Sequence, residues 1–141
     1  MNPRVPYGFR SKYPHMKPRD IAIWERFVAA LPNAYEECIY DQPLGNGEPI
    51  PEGTTPEMAK DWKVLTQWKV DVVGYYNGNI DVIEVKPDAG ISAIGQVKSY
   101  AYLFDQLDKD TKPVRPVIVT DRERPDMRKL CTDQGVTLVV V

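Results

Sequence analysis

The apolar positions of this chain change period several times, and each change marks an element. From Asp20 to Leu31 they recur at helical spacing, through Ile21, Ile23, Trp24, Phe27 and Val28. This predicts an amphipathic helix with Glu25, four residues after Ile21 and three before Val28, on its inward stripe. Trp68–Tyr76 and Ile80–Lys86 are instead dense in Val, Ile, Trp and Tyr and flank Asn77-Gly78, a dipeptide that suits a tight hairpin turn because both of its residues tolerate positive φ. Helical spacing returns from about Ser92 to Leu107, after the loop Pro87-Asp88-Ala89-Gly90. Val114–Thr120 reads as a buried strand, Pro125–Gln134 as a helix entered by proline and closed at Gly135, and Val136–Val141 as a final strand. Residues 41–66 hold Pro43, Gly45, Gly47, Pro49, Pro51, Gly53 and Pro56 and read as one long loop, placed beside the functional site or at an interface.

The hairpin turn fixes a register. With Asn77 and Gly78 as the loop, Tyr76 faces Asn79 and, counting outward, Asp71 faces Glu84 and Lys69 faces Lys86. Because side chains alternate along a strand, Ile83 and Val85 point into a core while Lys69, Asp71, Glu84 and Lys86 share the opposite face. Two carboxylates directly opposed, with Cβ atoms about 5 Å apart, repel each other unless positive charge lies between them. Mg²⁺ meets that need, since it takes oxygen ligands, uses one or two carboxylates and keeps waters that serve as nucleophiles. Lys86 is then free to orient or deprotonate such a water, or to offset charge growing on a phosphate. Taken alone, the hairpin equally suits a solvated strand face on which Lys69 and Lys86 balance Asp71 and Glu84.

The order of Asp71 and then Glu84-Val85-Lys86 resembles the PD-(D/E)xK nuclease superfamily, with Val70 where that pattern often has proline. The resemblance runs from about Asp20 to the C terminus. It implies an α/β fold with a restriction-endonuclease-like αβββαβ core, a central mixed sheet flanked by helices. It also implies a Mg²⁺-dependent DNA nuclease, with Mn²⁺ able to substitute. In that reading Asp71, Glu84 and the Val85 carbonyl hold metal, Glu25 adds a third carboxylate from the first helix, Lys86 serves the water or transition state, and Gln96 completes the site. Helical periodicity by itself fits Glu25 equally well as a stripe-edge residue paired to a nearby Lys or Arg.

Gln96 and Tyr100 lie four apart on one helix face. They resemble the Gln-x3-Tyr element of RecB-type nucleases, which borders the active site and handles DNA. Lys98 on the same helix and Lys69 on the hairpin are further candidate DNA contacts. Glu25-Arg-Phe, Tyr40-Asp-Gln-Pro-Leu44 and Val119-Thr-Asp-Arg-Glu-Arg124 occur in the order found in the endonuclease subunit of Tn7-type transposons and in related phage nuclease-like proteins. That narrower resemblance implies a phage or mobile-element nuclease. The rival reading is a non-catalytic or partner-dependent structural component of a virion or transposition complex, built on the same fold.

Composition bounds these readings. The chain has 141 residues, 43% of them hydrophobic, enough for one domain, residues 20–141, preceded by a basic Pro-rich arm, residues 1–19. The net charge of −2 hides an asymmetry, because the first nineteen residues carry Arg4, Arg10, Lys12, Lys17 and Arg19 with no acid and the remainder carries −7. Arg10 and Lys12, interleaved with Tyr7, Phe9 and Tyr13, suit a DNA backbone and its bases or a protein neighbour, hence a homo-oligomer or larger assembly. No apolar run approaches the roughly 20 residues that span a bilayer, and the first residues form no signal-peptide core. A cytoplasmic protein is expected, in the host cell if viral, with virion association as the variant of that case. Cys38 and Cys131 lack metal or redox spacing, and the single His15 excludes His-pair chemistry and the usual zinc clusters.

Overall fold

The structure is a computed structural model that describes residues 1–108 and 112–141. Its elements are β1 (Val5–Pro6), α1 (Pro18–Ala30), β2 (Glu37–Leu44), α2 (Pro56–Thr66), β3 (Trp68–Tyr76), β4 (Asn79–Val85), α3 (Ile91–Leu107), β5 (Val114–Thr120), α4 (Met127–Asp133) and β6 (Thr137–Val140). The six strands form one mixed sheet in sequence order. β1 to β4 run antiparallel, whereas β5 and β6 join parallel to β4. A parallel neighbour requires a crossover, and α3 and α4 supply the two crossovers. This is the mixed α/β architecture expected from the sequence.

The hairpin register is as counted, with Tyr76 opposite Asn79 and Val72 opposite Ile83. Asn77 and Gly78 both have positive φ, 47° and 80°, so this two-residue turn carries the twist of the flanking strands. The expectation of one open polar face is corrected. α1 covers one side of the sheet through Ile23, Trp24, Phe27 and Val28, packed on Val72, Ile83, Val85, Val117 and Val119. α3 covers the other through Tyr100, Ala101 and Phe104, packed on Ile39, Leu44, Val70, Val73, Ile80 and Val82, and α4 extends that layer over Ile118 and Leu138. Parallel strands gain their stability from burial on both faces, so Glu84 lies inside the molecule.

Alternation also slips by one residue at Asp71. Val73 and Tyr75 face α3 and Val72 faces α1, yet Val70 faces α3 again. The neighbouring strand slips at the matching place, since Tyr40 faces α1 and Leu44 faces α3, and Asp41 between them has φ 53°. The ladder continues on either side of the slip, through Tyr40–Val72 and Gln42–Val70.

Two segments read as irregular carry structure. Residues 41–66 are not one loop, because they contain the end of β2 and the helix α2. Thr55 caps α2 by accepting a hydrogen bond from the Met58 amide, and Pro56 occupies the first turn, where its missing N–H costs nothing. α2 buries none of its residues; Trp62 ties it to the preceding loop by donating to the Glu48 and Pro49 carbonyls. The N-terminal arm lies on the core of its own chain. Val5 and Pro6 pair with the edge of β2, Asn2 hydrogen-bonds Gln42 and the carbonyls of Tyr40 and Asp41, and Tyr7 meets Trp24 and Tyr35 edge-on. Among the described residues no helix is long and apolar enough to cross a membrane.

Candidate active site

Near its C-terminal end β4 places one acid, Glu84, in a buried position. Ile80 and Val82 face α3, so by alternation Glu84 does too, and it is only 7% exposed. Asp71 approaches it from the slip in β3, where its Oδ2 accepts a hydrogen bond of 2.9 Å from the Val85 amide. The two carboxyl side chains are close enough for each to act on the other's ionisation. The Oε2 of Glu84 is buried and has no hydrogen-bond partner among the described residues.

Electrostatics follow from that burial. The Glu84 carboxyl is held well above the usual carboxylate range, first by burial and then by the charge of Asp71, with Lys86 pulling the other way. Asp71 is also raised, chiefly by burial, while the Val85 N–H favours its charged form. Such a pair holds a proton between its two oxygens at neutral pH unless a cation replaces it. The buried, unpartnered Glu84 oxygen beside a second carboxylate is a hard oxygen donor set of the kind a small divalent ion takes, so the residues fit the expected Mg²⁺.

The pair forms the floor of an open cleft of about 710 Å³, lined also by Val85, Lys86, Asp20 and Arg19, with His15 and Lys17 brought in from the arm. Acids thus lie at the base, and Lys17, Arg19 and Lys86 lie around them. His15 Nε2 is 3.3 Å from Asp41 Oδ2, which links the arm to the slip in β2. Among the described residues no group of three or more His, Cys, Asp or Glu side chains is placed to hold a metal.

Several expected participants lie elsewhere. Glu25 is exposed and points away from the sheet. The buried residues of α1 are Ile23, Trp24, Phe27 and Val28, and the acid in line with them is Asp20, one turn earlier. Asp20 lines the cleft, its charge acts on both Asp71 and Glu84, and its Oδ2 accepts from the Lys17 amide at the helix start. Lys69 does not join the site, because its Nζ donates to the Val64 carbonyl at the end of α2.

Gln96 does not line the cleft; its Nε2 donates to the Tyr100 hydroxyl at 2.9 Å. Tyr100 is buried, and the charges of Glu84 and Asp71 act on its phenol. Lys98 is exposed on α3 and outside the cleft. Arg10 lies over the Tyr40 ring, 5.6 Å from its centroid, and Lys12 is exposed beside it; neither lines the cleft.

Comparison with known proteins bears on this geometry. A family model described as the endonuclease NucS C-terminal domain matches residues 45–141, a span that includes Asp71, Glu84, Lys86, Gln96 and Tyr100. No curated protein matches. A repair endonuclease from Pyrococcus abyssi aligns with a TM-score of 0.50 at 23% identity, over 85% of this chain and 46% of that one. The structure of an EndoMS–dsDNA2 complex aligns with a TM-score of 0.49 at 22% identity, over 94% of this chain and 49% of that one. The chain spans about half the length of these solved structures, and at 23% identity the likeness to the Pyrococcus abyssi enzyme speaks for the fold alone. The Tn7-type, RecB-type and phage resemblances, and the origin they implied, gain no support from these matches.

Proposed function

Because the chain belongs to the endonuclease NucS C-terminal domain family, we propose that it is a metal-dependent DNA nuclease whose reacting centre is the Asp71–Glu84 pair. The observation that carries the proposal is the Glu84 oxygen, buried and unpartnered beside a second carboxylate at the floor of an open cleft. A bound Mg²⁺ or Mn²⁺ supplies two things there, an acidified water and a Lewis acid for the phosphate. Asp71, Glu84 and the Val85 carbonyl are the groups that would hold the ion. Lys86, at the mouth of the cleft, places its cation where charge grows on the phosphate, and Lys17 and Arg19 draw the nucleic-acid backbone toward the floor. Asp20, also lining the cleft, adds negative charge that acts on both carboxyls. Hydrolysis adds water to phosphorus and breaks the bond to the leaving oxygen.

The test is incubation of the purified chain with supercoiled plasmid and with linear single-stranded and double-stranded DNA, in Mg²⁺, Mn²⁺ or EDTA, beside the Glu84→Ala/Lys86→Ala variant. Metal-dependent cutting absent from the variant supports the reading. A second reading is that the site is intact but cuts only with a further domain or partner, as the alignment to 46% of the Pyrococcus abyssi repair endonuclease allows. In that case DNA survives, while calorimetry records Mn²⁺ binding that Glu84→Ala abolishes. Neither cutting nor binding refutes both.

A further inference from the structure

We propose that Trp68 and the groove at its side take up an unstacked nucleobase of the DNA strand whose phosphate lies at the Asp71–Glu84 pair, an inference that rests on the nuclease reading above. Trp68 opens β3, three residues before Asp71, so the two are about 10 Å apart at the rise of a strand. Trp68 is 63% exposed, although it stands on a strand of the sheet. Large aromatics normally bury that surface.

The indole and Leu103 form a ridge between two hollows. One, of about 370 Å³, is walled by Gly95, Gln96, Ser99 and Tyr100. The other, of about 460 Å³, is walled by the Gly45–Glu48 loop and Thr66. At Gly95 even a methyl group would meet nothing within 4 Å, so the floor of the first hollow is open.

Three features favour a base over other occupants. The first hollow is mostly apolar with amide and hydroxyl groups at its edge, Gln96 and Ser99, which suits a flat π-surface with a hydrogen-bonding rim. No lysine or arginine among the described residues lines either hollow, so a phosphate has no partner there, whereas the cleft beside it is rimmed by cations. The groove also lies near the carboxylate pair, because Tyr100, which lines the first hollow and not the cleft, is close enough to the pair to feel its charge. Its ring centroid is 6.5 Å from that of Trp68, and its hydroxyl, bonded to Gln96, feels the charges of Glu84 and Asp71.

The experiment measures binding of a fluorescein-labelled single-stranded oligothymidylate and of a matched duplex by anisotropy, in EDTA and in Ca²⁺, at several salt concentrations. Stacking contributes without releasing counterions. Trp68→Ala is therefore expected to weaken single-strand binding about ten-fold, a value within the range for loss of one base stack, with an unchanged salt slope. Trp68→Phe should retain most of the affinity. The melting temperature should not move, because the side chain is exposed.

The proposal is overturned if the wild-type chain does not bind the single strand, if Trp68→Ala binds within two-fold of wild type, if its loss vanishes at high salt, or if Trp68→Phe is as weak as Trp68→Ala. Failure of the nuclease reading looks different. A chain that cuts nothing and binds no Mn²⁺, yet binds single strands through Trp68, keeps the base site and loses the catalytic one. A chain that cuts, with a Trp68→Ala variant unchanged in KM, does the reverse.

Discussion

Replacing Glu84 by glutamine should make the metal-free protein more stable while removing its metal-dependent activity. The carboxyl is buried against Asp71, and burial first, then the charge of Asp71, hold its pKa above the ordinary value. Every tenfold disfavouring of ionisation costs the folded state about 1.4 kcal/mol, so even a hundredfold one costs about 2.7 kcal/mol at a pH where the unfolded chain is ionised. The sign follows from linkage. A carboxyl whose folded pKa is raised stabilises the fold below its unfolded pKa, near 4, and that contribution is lost as the pH rises through the folded value. Glutamine has the shape of the protonated acid and donates to Asp71 where the acid shares its proton, without this pH dependence. The melting temperature of Glu84→Gln in EDTA should match wild type near pH 4 and exceed it by about 5–10 °C at pH 8, taking roughly 2–4 °C per kcal/mol for a domain of this size. Differential scanning calorimetry across that range checks it. With saturating Mg²⁺ the advantage should shrink, because the ion binds only the wild-type folded state. A variant less stable than wild type at pH 8, or a difference independent of pH, would refute the reasoning.

Four further outcomes are expected. Lys86→Ala should lower cleavage at least a hundred-fold with little change in melting temperature, since the side chain is exposed at the cleft and no structural bond is lost. Asp20→Asn should reduce the rate about ten-fold or more while Glu25→Gln leaves it unchanged, because only Asp20 lines the cleft; plasmid nicking rates decide between them, and equal effects would sink the assignment. Gly74→Ala should destabilise the fold by about 1–3 kcal/mol, since its new Cβ would lie 2.6 Å from the Tyr35 ring, which is held by Phe27 and Asp81; denaturant titration gives the value. Asp81→Ala should cost about 3 kcal/mol by the same assay, because it leaves the buried Tyr35 hydroxyl without its acceptor and breaks the two-point bond to Arg115.

The hairpin and its register are legible in the sequence because one local signal, Asn77-Gly78, decides both. What failed to show depends on contacts distant along the chain. Ile21 and Val28 admit an inward stripe that contains Glu25, but the residues that meet the sheet are Ile23, Trp24, Phe27 and Val28, and that small rotation moves the inward acid to Asp20. Asp20 reads as a helix boundary, and only the arriving strand ends reveal its second role. α2 is hidden because proline reads as a breaker unless the Thr55 cap is weighed with it, and because a helix that buries nothing carries little periodicity. The alternation of acids and apolar residues in β4 looks half-solvated, whereas the crossover helices cover both faces, and no local pattern reports the layer that a crossover will add.

β4 contains its own control for the meaning of Glu84. Asp81, three residues earlier, is equally buried on the opposite face of the same strand. There the fold supplies a full set of partners, with Arg115 Nε at 2.7 Å, Arg115 Nη2 at 3.1 Å and the Tyr35 hydroxyl at 2.7 Å. Arg115 comes from the parallel neighbour β5, directly opposite Asp81 in the ladder, so the sheet satisfies a buried carboxylate by register alone. Glu84 sits opposite Ile118 in that same ladder. It has a second carboxylate for a neighbour, and among the described residues its Oε2 has no hydrogen-bond partner. An arginine at that register position would relieve the repulsion as it does at Asp81, and would close the cleft. With no arginine at this register position, the carboxyl pair is left to hold a proton or, on the nuclease reading proposed above, a cation.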